Sequence, residues 1–401
     1  MARRLAIPSK AVELKLVGPR DSAVISRVQR LSITADRPST DIDELGNRLH
    51  AGTIEDIPAI TVTFQAMDVS IKLFSVLTGK DSTAYPASGV SITELKDADV
   101  LVLIKSDTVE DYVKMAHARR CVIRDFTFTY SVDGESTEEY TMIGTQKRWF
   151  KNDVYVQKFV TGTTSFTLDY TPVALKGGSK ALSVVLDGVY LTEKPSAPGT
   201  GEYSISGTTL TTGDSRTSQL IAVYQIAPQA GNNWVDAVDV SIPAAIRGMD
   251  VPVVIGAGGI ERVQSITING TFNPEAVKEM GNRDILGYQM QIPSVTGTIT
   301  VLDTDAELIA LLTTGQLNPS GVTEFGASEF TASGIKILVK LQDPAVKSPP
   351  YPILKTLYMP SISITNEGFT SNVNQNAQQT FDFKSSTGEL KIYQGSGIFG
   401  N

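Results

Sequence analysis

The sequence predicts a mainly β protein with short α-helices: two tandem β-sandwich or barrel domains and a small β-sandwich module between them. Three observations carry this. A 52-residue stretch occurs twice, as residues 27–78 and 262–313, with 17 identical positions and no gap. Apolar and polar residues alternate with period two inside each copy. The residues between the copies read as short strands separated by Gly, Ser and Thr turns.

The duplication is settled first because every other feature is read against it. Arg27-Val28-Gln29 recurs as Arg262-Val263-Gln264, Ile57-Pro58 as Ile292-Pro293, and Leu77-Thr78 as Leu312-Thr313, always 235 residues on. In the first strand Gln29, Leu31, Ile33 and Ala35 alternate with Arg30, Ser32 and Thr34; Gln264, Ile266 and Ile268 alternate with Ser265, Thr267 and Asn269. After a long loop a second strand sets Ile60, Val62 and Phe64 against Thr61, Thr63 and Gln65. Its copy sets Val295, Ile299 and Val301 against Thr296, Thr298 and Thr300. A short helix follows, with Leu73, Val76 and Leu77 matching Leu308, Leu311 and Leu312. Asp68 and Asp303 are expected to cap it, and Gly79 and Gly315 to end it in the left-handed conformation.

Taken in order, residues 1–10 read as an arm and Ala11–Val17 as a strand. Residues 80–98 read as a loop, Val100–Lys105 and Arg120–Tyr130 as strands, Asp133-Gly134 as a hairpin turn and Tyr140–Gly144 as the return strand. The second copy ends with strands at Ile335–Leu341, around Ser361–Thr365, at Phe381–Phe383 and Leu390–Tyr393, with a turn expected at Asn366-Glu367-Gly368. In the middle, strands are expected at Lys180–Leu186, Val189–Thr192, Tyr203–Ser206, Thr209–Thr211 and Leu220–Gln225, with Asp187-Gly188 a tight turn. The organisation is therefore copy 1 at 1–150, the β-sandwich module at 151–228, a breaker-rich linker at 229–248 and copy 2 at 249–401.

Composition narrows the function classes. The 401 residues are 41% hydrophobic and 19% charged, a globular balance. A net charge of −8 argues against a protein that grips nucleic acid by neutralising phosphates. One cysteine, Cys121, leaves no intrachain disulfide. No apolar run reaches the length of a membrane span, and residues 1–8 lack the apolar core of a secretion signal, so a cytosolic origin is expected.

Little supports catalysis, a cofactor or a metal, and none is expected. The two histidines, His50 and His117, lack a marked nucleophile or orienting group. The His50 position is Ile285 in copy 2. Gly256-Ala257-Gly258-Gly259 follows an apolar run, but Glu261 stands where a dinucleotide loop needs its third glycine, so a turn between strands is expected. Asp41-Ile42-Asp43-Glu44 resembles a calcium-loop fragment, yet copy 2 keeps only the glutamate, so it reads as a solvated turn.

Two features remain. The loop Glu44-Leu45-Gly46-Asn47-Arg48 recurs as Glu279-Met280-Gly281-Asn282-Arg283, either as a turn needing φ > 0 at Gly46 and Gly281 or as an intersubunit contact through Arg48 and Arg283. The polar strand faces are small and mostly uncharged: Ser32, Thr34, Thr61, Thr63, Ser265, Thr267, Thr296 and Thr298. They would line a pore or form a plain solvent face rich in threonine.

This order of strand, long loop with Leu45-Gly46-Asn47-Arg48 or Met280-Gly281-Asn282-Arg283, strand, Asp-led helix and hairpin resembles the tail tube (major tail) proteins of tailed bacteriophages, over both terminal domains. The middle module resembles Ig-like domains that decorate phage structural proteins. The resemblance implies a virion protein assembled in the host cytoplasm. Its duplicated domain would let three chains build a pseudo-sixfold ring, with rings stacked into a hollow tube. The polar faces would line a lumen holding tape-measure protein and then genomic DNA without sequence-specific binding. Tail-tip and tail-terminator proteins would be the other partners, with no membrane and no enzymatic role. The loops at 36–58 and 271–293 would contact neighbours, and the module would project outward. The alternative is a non-polymerising β adhesin or capsid-decoration protein.

Overall fold

In the computed structural model, residues 12–25, 27–45, 50–67, 70–80, 86–105, 112–134, 136–151, 153–160, 163–214, 219–227, 246–256, 258–259, 262–302, 307–314, 324, 334–371, 376–395 and 398–399 are described. The chain is mainly β, with strands in several sheets.

Eight strands form one continuous antiparallel sheet: β1 (Val28–Asp36), β2 (Ala59–Ala66), β3 (Tyr112–Ser131), β4 (Thr137–Gly144), β5 (Val263–Thr271), β6 (Ser294–Val301), β7 (Tyr351–Thr370) and β8 (Gln378–Ser385). Their spatial order is β1-β2-β4-β3-β5-β6-β8-β7. Each copy thus contributes the same four-stranded unit, and the junction between copies is the β3–β5 pairing, Ser131↔Ser265 through Asp125↔Thr271.

The long strands β3 and β7 turn through a bend and serve two layers. The first half of β3 pairs with Ala98–Lys105 and Gln146–Phe150, in a second sheet that also holds Val12–Val17 and Ser22–Ile25. The first half of β7 pairs likewise with Ile335–Gln342 and Lys391–Gln394. β-Bulges, which add one residue and bend a strand, fall at equivalent places: Arg124 is skipped opposite Thr141/Met142, and Thr365 between Ile364 and Asn366. This corrects the turn expected at Asn366-Glu367-Gly368, which lies inside β7. Alternation does not reveal that Arg120–Tyr130 extends back to Tyr112, because Met115, Ala116, His117 and Ala118 are all buried and carry no two-faced pattern.

The repeated Arg-Val-Gln motif has a backbone cause. Arg27 and Arg262 take positive φ, 54° and 65°. In each copy the Gln29 or Gln264 amide donates to that arginine's carbonyl at 3.2 Å, and the backbone N–H of Met67 or Leu302 donates to the same oxygen. The register shifts at the same step in both, between Val28 and Arg30 and between Val263 and Ser265. Seven paired strand residues follow each bulge, so the motif starts the sheet's pleat in phase with its apolar face.

Helices α1 (Lys72–Thr78) and α2 (Glu307–Thr314) enter the core through Leu73, Phe74, Val76 and Leu77 and through Leu308, Leu311 and Leu312. Gly79 ends α1 at φ 66° as expected. The N-cap of α1 is Ile71, with no side-chain cap bond, rather than Asp68; Asp68, Asp303 and Gly315 lie outside the described residues. The loops at 36–58 and 271–293 are not plain loops but hold small hairpins, Ser39–Ile42 with Gly52–Glu55 and Glu275–Val277 with Gly287–Gln289. The 80–98 loop contains the short strand Val90–Ser91, which pairs with Lys391–Gln394 and forms a second link between copies. At the expected turn between strands, Gly256 has φ 65° and Gly258–Gly259 pairs back with Ile255 and Val254; Ala257 lies outside the described residues.

The middle segment is a sandwich of two four-stranded sheets with its own core around Val184, Leu210, Leu220, Ala222 and Tyr224. Asp187-Gly188 forms the tight turn with both φ positive. The expected strand Val189–Thr192 is in fact divided: Val189–Tyr190 joins one sheet and Thr192–Glu193 the other. The expected strand from Lys180 begins at Ser183, and the strands at Val154–Val160 and Ser165–Thr167 were missed.

Candidate assembly surface

The eight-stranded sheet has one apolar and one polar face. Ile60, Val62, Phe64, Phe128, Ile266, Ile268, Val295, Ile299, Phe381 and Phe383 enter a single core that contains side chains of both copies. The polar face crosses the copy boundary without interruption. One row across the strands reads Ser32, Thr63, Thr141, Asp125, Thr271, Ser294. Another reads Arg30, Gln65, Glu139, Thr127, Asn269, Thr296, Lys384, Ser363, and a third Thr137, Thr129, Thr267, Thr298, Asp382, Asn366.

All eight residues singled out from the pattern lie on this face. Ser32, Thr34 and Thr296 are exposed, and Thr61, Thr63, Ser265, Thr267 and Thr298 are half-buried by their neighbours. Alternation alone found them. It missed Thr127, Thr129, Thr137, Thr141 and Asp382, which share the face, because β3, β4 and β8 were not assigned to the same sheet. Hydrogen bonds tie the face laterally: Thr127 Oγ1 donates to Asn269 Oδ1 at 2.9 Å across the junction, and Thr298 Oγ1 to Asp382 Oδ1 at 2.7 Å. Charges of both signs occur, so the face is hydrated without being a cationic track for phosphate.

The recurring loop is split by what is described. Gly46, Asn47 and Arg48 lie outside the described residues, as does Leu49. Gly281 has φ 84°, as the turn requires, and Asn282 N–H closes it on the Glu279 carbonyl at 3.2 Å. Glu44, Glu279, Asn282 and Arg283 are exposed. The hairpin of copy 2 rests on copy 1: the Tyr288 hydroxyl donates to the Gly144 carbonyl at 3.0 Å, Gln146 Nε2 donates to Asp284 at 2.8 Å, and Arg120 donates to the Leu286 carbonyl at 2.8 Å. Apolar side chains stand exposed at matching hairpin positions, Ile42 with Val277 and Leu45 with Met280. In copy 2 the motif is therefore a turn, and the contacts to copy 1 come from Asp284, Leu286 and Tyr288, which follow it.

The module sits on the far side of the molecule from the polar face. Val17, Leu101, Leu103, Met115 and Phe150 of copy 1 pack with Val154, Leu175, Leu182, Ile221 and Val223 of the module. In Ala98–Lys105, Val100 and Val102 point into the main core while Leu101 and Leu103 point at the module, the strand being buried on both faces. In the register-equivalent strand of copy 2, half-buried Lys340 stands at the place of Leu103, while Leu338, at the place of Leu101, is buried.

A polar cluster completes this joint. Asp99, fully buried, accepts from His117 Nε2 at 3.0 Å, the Arg120 N–H at 2.9 Å, the Tyr190 hydroxyl at 3.2 Å and the Ser183 hydroxyl. Burial alone would raise the Asp99 carboxyl; the attraction of His117 and these hydrogen bonds outweigh it and hold it below the ordinary aspartate value. Burial, then Asp99 and Asp97, raise the Tyr190 hydroxyl well above its usual range. The cluster contains Ser, His and Asp, but the carboxylate lies between the other two, so His117 is not placed to take the Ser183 proton. His50 instead contacts Asp43 at 2.6 Å on an exposed hairpin. Among the described residues no cluster of three or more metal-ligating side chains occurs, and no helix is long and apolar enough to cross a membrane. No protein-family model matches the chain, and no curated protein matches it.

Proposed function

We propose that the chain is a self-assembling structural protein of the tail tube type: three copies form a pseudo-sixfold ring, rings stack, and the polar sheet face lines the lumen. The observation that carries this reading is the unbroken eight-stranded sheet, built from two equivalent units, with one hydrated Ser/Thr-rich face and β1 and β7 at its two ends. An exposed sheet edge invites pairing, and a ring removes it. Fusing two units into one chain replaces one of every two contacts around the ring by a covalent link and raises the effective concentration of the partners. The module, packed behind the second sheet of copy 1, leaves the polar face clear and takes the outer surface. Tape-measure protein and then genomic DNA would pass along a face that offers hydroxyls and mixed charges rather than a phosphate grip.

Negative-stain electron microscopy of the purified chain, fresh and after concentration, tests this. Hollow tubes or threefold rings with a stain-filled centre are expected. Persistent monomers, even with tail-tip complexes added as seeds, would overturn the reading and favour the adhesin or decoration alternative.

A further inference from the structure

The chain contains one occupied copy–copy junction and, by the same symmetry, the two halves of a second. β5 of copy 2 corresponds to β1 of copy 1 (Val263 to Val28, Thr271 to Asp36), and β3 corresponds to β7 through their shared bulge (Arg124 to Thr365, Asp125 to Asn366). At the junction β5 pairs with β3. Among the described residues, β1 pairs only with β2, and Ser363–Thr370 of β7 only with β8. We propose that β7 of one chain pairs antiparallel with β1 of a second copy of this chain, in the register already present between β3 and β5. That register sets Asn366 opposite Asp36, Gly368 opposite Thr34, Phe369 opposite Ile33 and Thr370 opposite Ser32 of the second copy.

Three independent features fit this pairing. First, Phe128 on β3, which lies opposite Ile268 of copy 2 and packs on Phe74, Phe126 and Tyr140 of its own copy, is 0% exposed, whereas its counterpart Phe369 is 66% exposed. A large aromatic at an open edge is a contact awaiting a partner. Second, Ile266 and Ile268 are buried, while their counterparts Leu31 and Ile33 are only half-buried. Both sides of the proposed contact therefore carry the apolar surface that the internal junction has already covered.

Third, the charges correspond. At the internal junction Lys355 of copy 2 reaches Glu138 of copy 1 at 2.5 Å and lies 5.4 Å from the Phe128 ring centre. The counterpart of Lys355 is Lys114, exposed over the Trp149 ring at 3.9 Å. The counterpart of Glu138 is Gln379, whose amide donates to Glu367 at 3.0 Å. In the pairing Lys114 of the second copy approaches Gln379 and Glu367 and covers Phe369, a charge-and-ring arrangement like the internal one. Each chain uses different surfaces for its two neighbours, the head-to-tail geometry that closes rings.

This inference rests on the self-assembly reading, and the test separates the two. Directly opposed Cβ atoms lie roughly 4.5–5.5 Å apart, and a Cβ at Gly368 meets nothing within 4 Å. Singly substituted Thr34→Cys and Gly368→Cys proteins, mixed, assembled and mildly oxidised, should give a covalent dimer; Thr34→Cys with Thr370→Cys, two residues out of register, should give at least about tenfold less. Cys121 is buried and should not contribute. Phe369→Asp should raise the concentration needed for assembly at least about tenfold, as loss of a central aromatic contact does, without changing the monomer's melting temperature. Rings that form while the cross-link favours Thr370, or is absent at both positions, would overturn the register and leave self-assembly standing. So would normal assembly of Phe369→Asp. A wild-type chain that stays monomeric by electron microscopy and gives no cross-link would overturn both.

Discussion

Lys355 and Glu138, 217 residues apart, form a buried ion pair at 2.5 Å that ties the second copy to the first. The Tyr140 hydroxyl donates to the other Glu138 oxygen at 2.5 Å, and the Tyr130 hydroxyl approaches at 3.3 Å. Burial, then the Glu138 charge, push the Tyr130 hydroxyl well above its usual range, so it stays protonated as a donor. The rings of Phe74 and Phe128 flank the ammonium.

Removing one partner leaves a buried charge uncompensated. Lys355→Met should therefore destabilise the chain by about 3–5 kcal/mol in chemical denaturation. Adding Glu138→Gln, which removes the stranded charge and matches Gln379 of the other copy, should recover part of that loss. A double variant no more stable than Lys355→Met would mean that the pair is not coupled.

The copies trade volume across one strand pair. Gly297 faces Phe383 where copy 1 has Val62 facing Met142. A Cβ on Gly297 would lie 2.3 Å from the Phe383 ring and 2.4 Å from the Thr267 carbonyl oxygen. Gly297→Ala should cost about 1–3 kcal/mol by overpacking. Phe383→Leu should relieve only part of it, since the carbonyl clash is with backbone. Thermal denaturation of Gly297→Ala, Phe383→Leu and the double variant checks this.

Asp99 gives the joint between copy 1 and the module a pH dependence. Its folded pKa is below the 3.8 of an unperturbed aspartate, so its contribution is complete above that value and is lost as the pH falls below it toward the folded pKa. Asp99→Asn should lower the melting temperature at neutral pH, and the gap from wild type should narrow as the pH falls below 3.8. A constant gap across that range would place the stabilisation elsewhere.

Deleting 151–228 uncovers Leu101, Leu103 and Met115. The deletion alone should give a chain that aggregates at its exposed patch. Adding Leu103→Lys, after Lys340 of copy 2, should restore solubility, read by sedimentation, with assembly retained.

Gly281→Val isolates a backbone term. A Cβ there meets nothing within 4 Å, yet φ is 84°. The cost should be about 1–2 kcal/mol, confined to the exposed hairpin, and hydrogen exchange at Val277–Leu286 should rise while core amides stay protected.

The sequence by itself determined the duplication, the strands that open each copy, the turns at Gly79, Asp187-Gly188 and Gly281, and the membership of Ser32, Thr63, Thr267 and Thr298 in a polar face. These are local: alternation and turn chemistry operate over a few residues, and the 235-residue offset is visible without any fold. Only the tertiary structure decided that β3 pairs with β5 and makes the two copies one sheet. It alone decided that Leu101 and Leu103 face a module rather than water, that Asp99 gathers His117, Ser183 and Tyr190, and that Phe369 is left uncovered where Phe128 is not. Strand pairing between distant segments depends on which edges meet, and burial depends on which layers stack. Neither leaves a period in the chain, so the sequence does not show that Ile268 lies across from Phe128 while, among the described residues, only β8 pairs with the strand at Phe369.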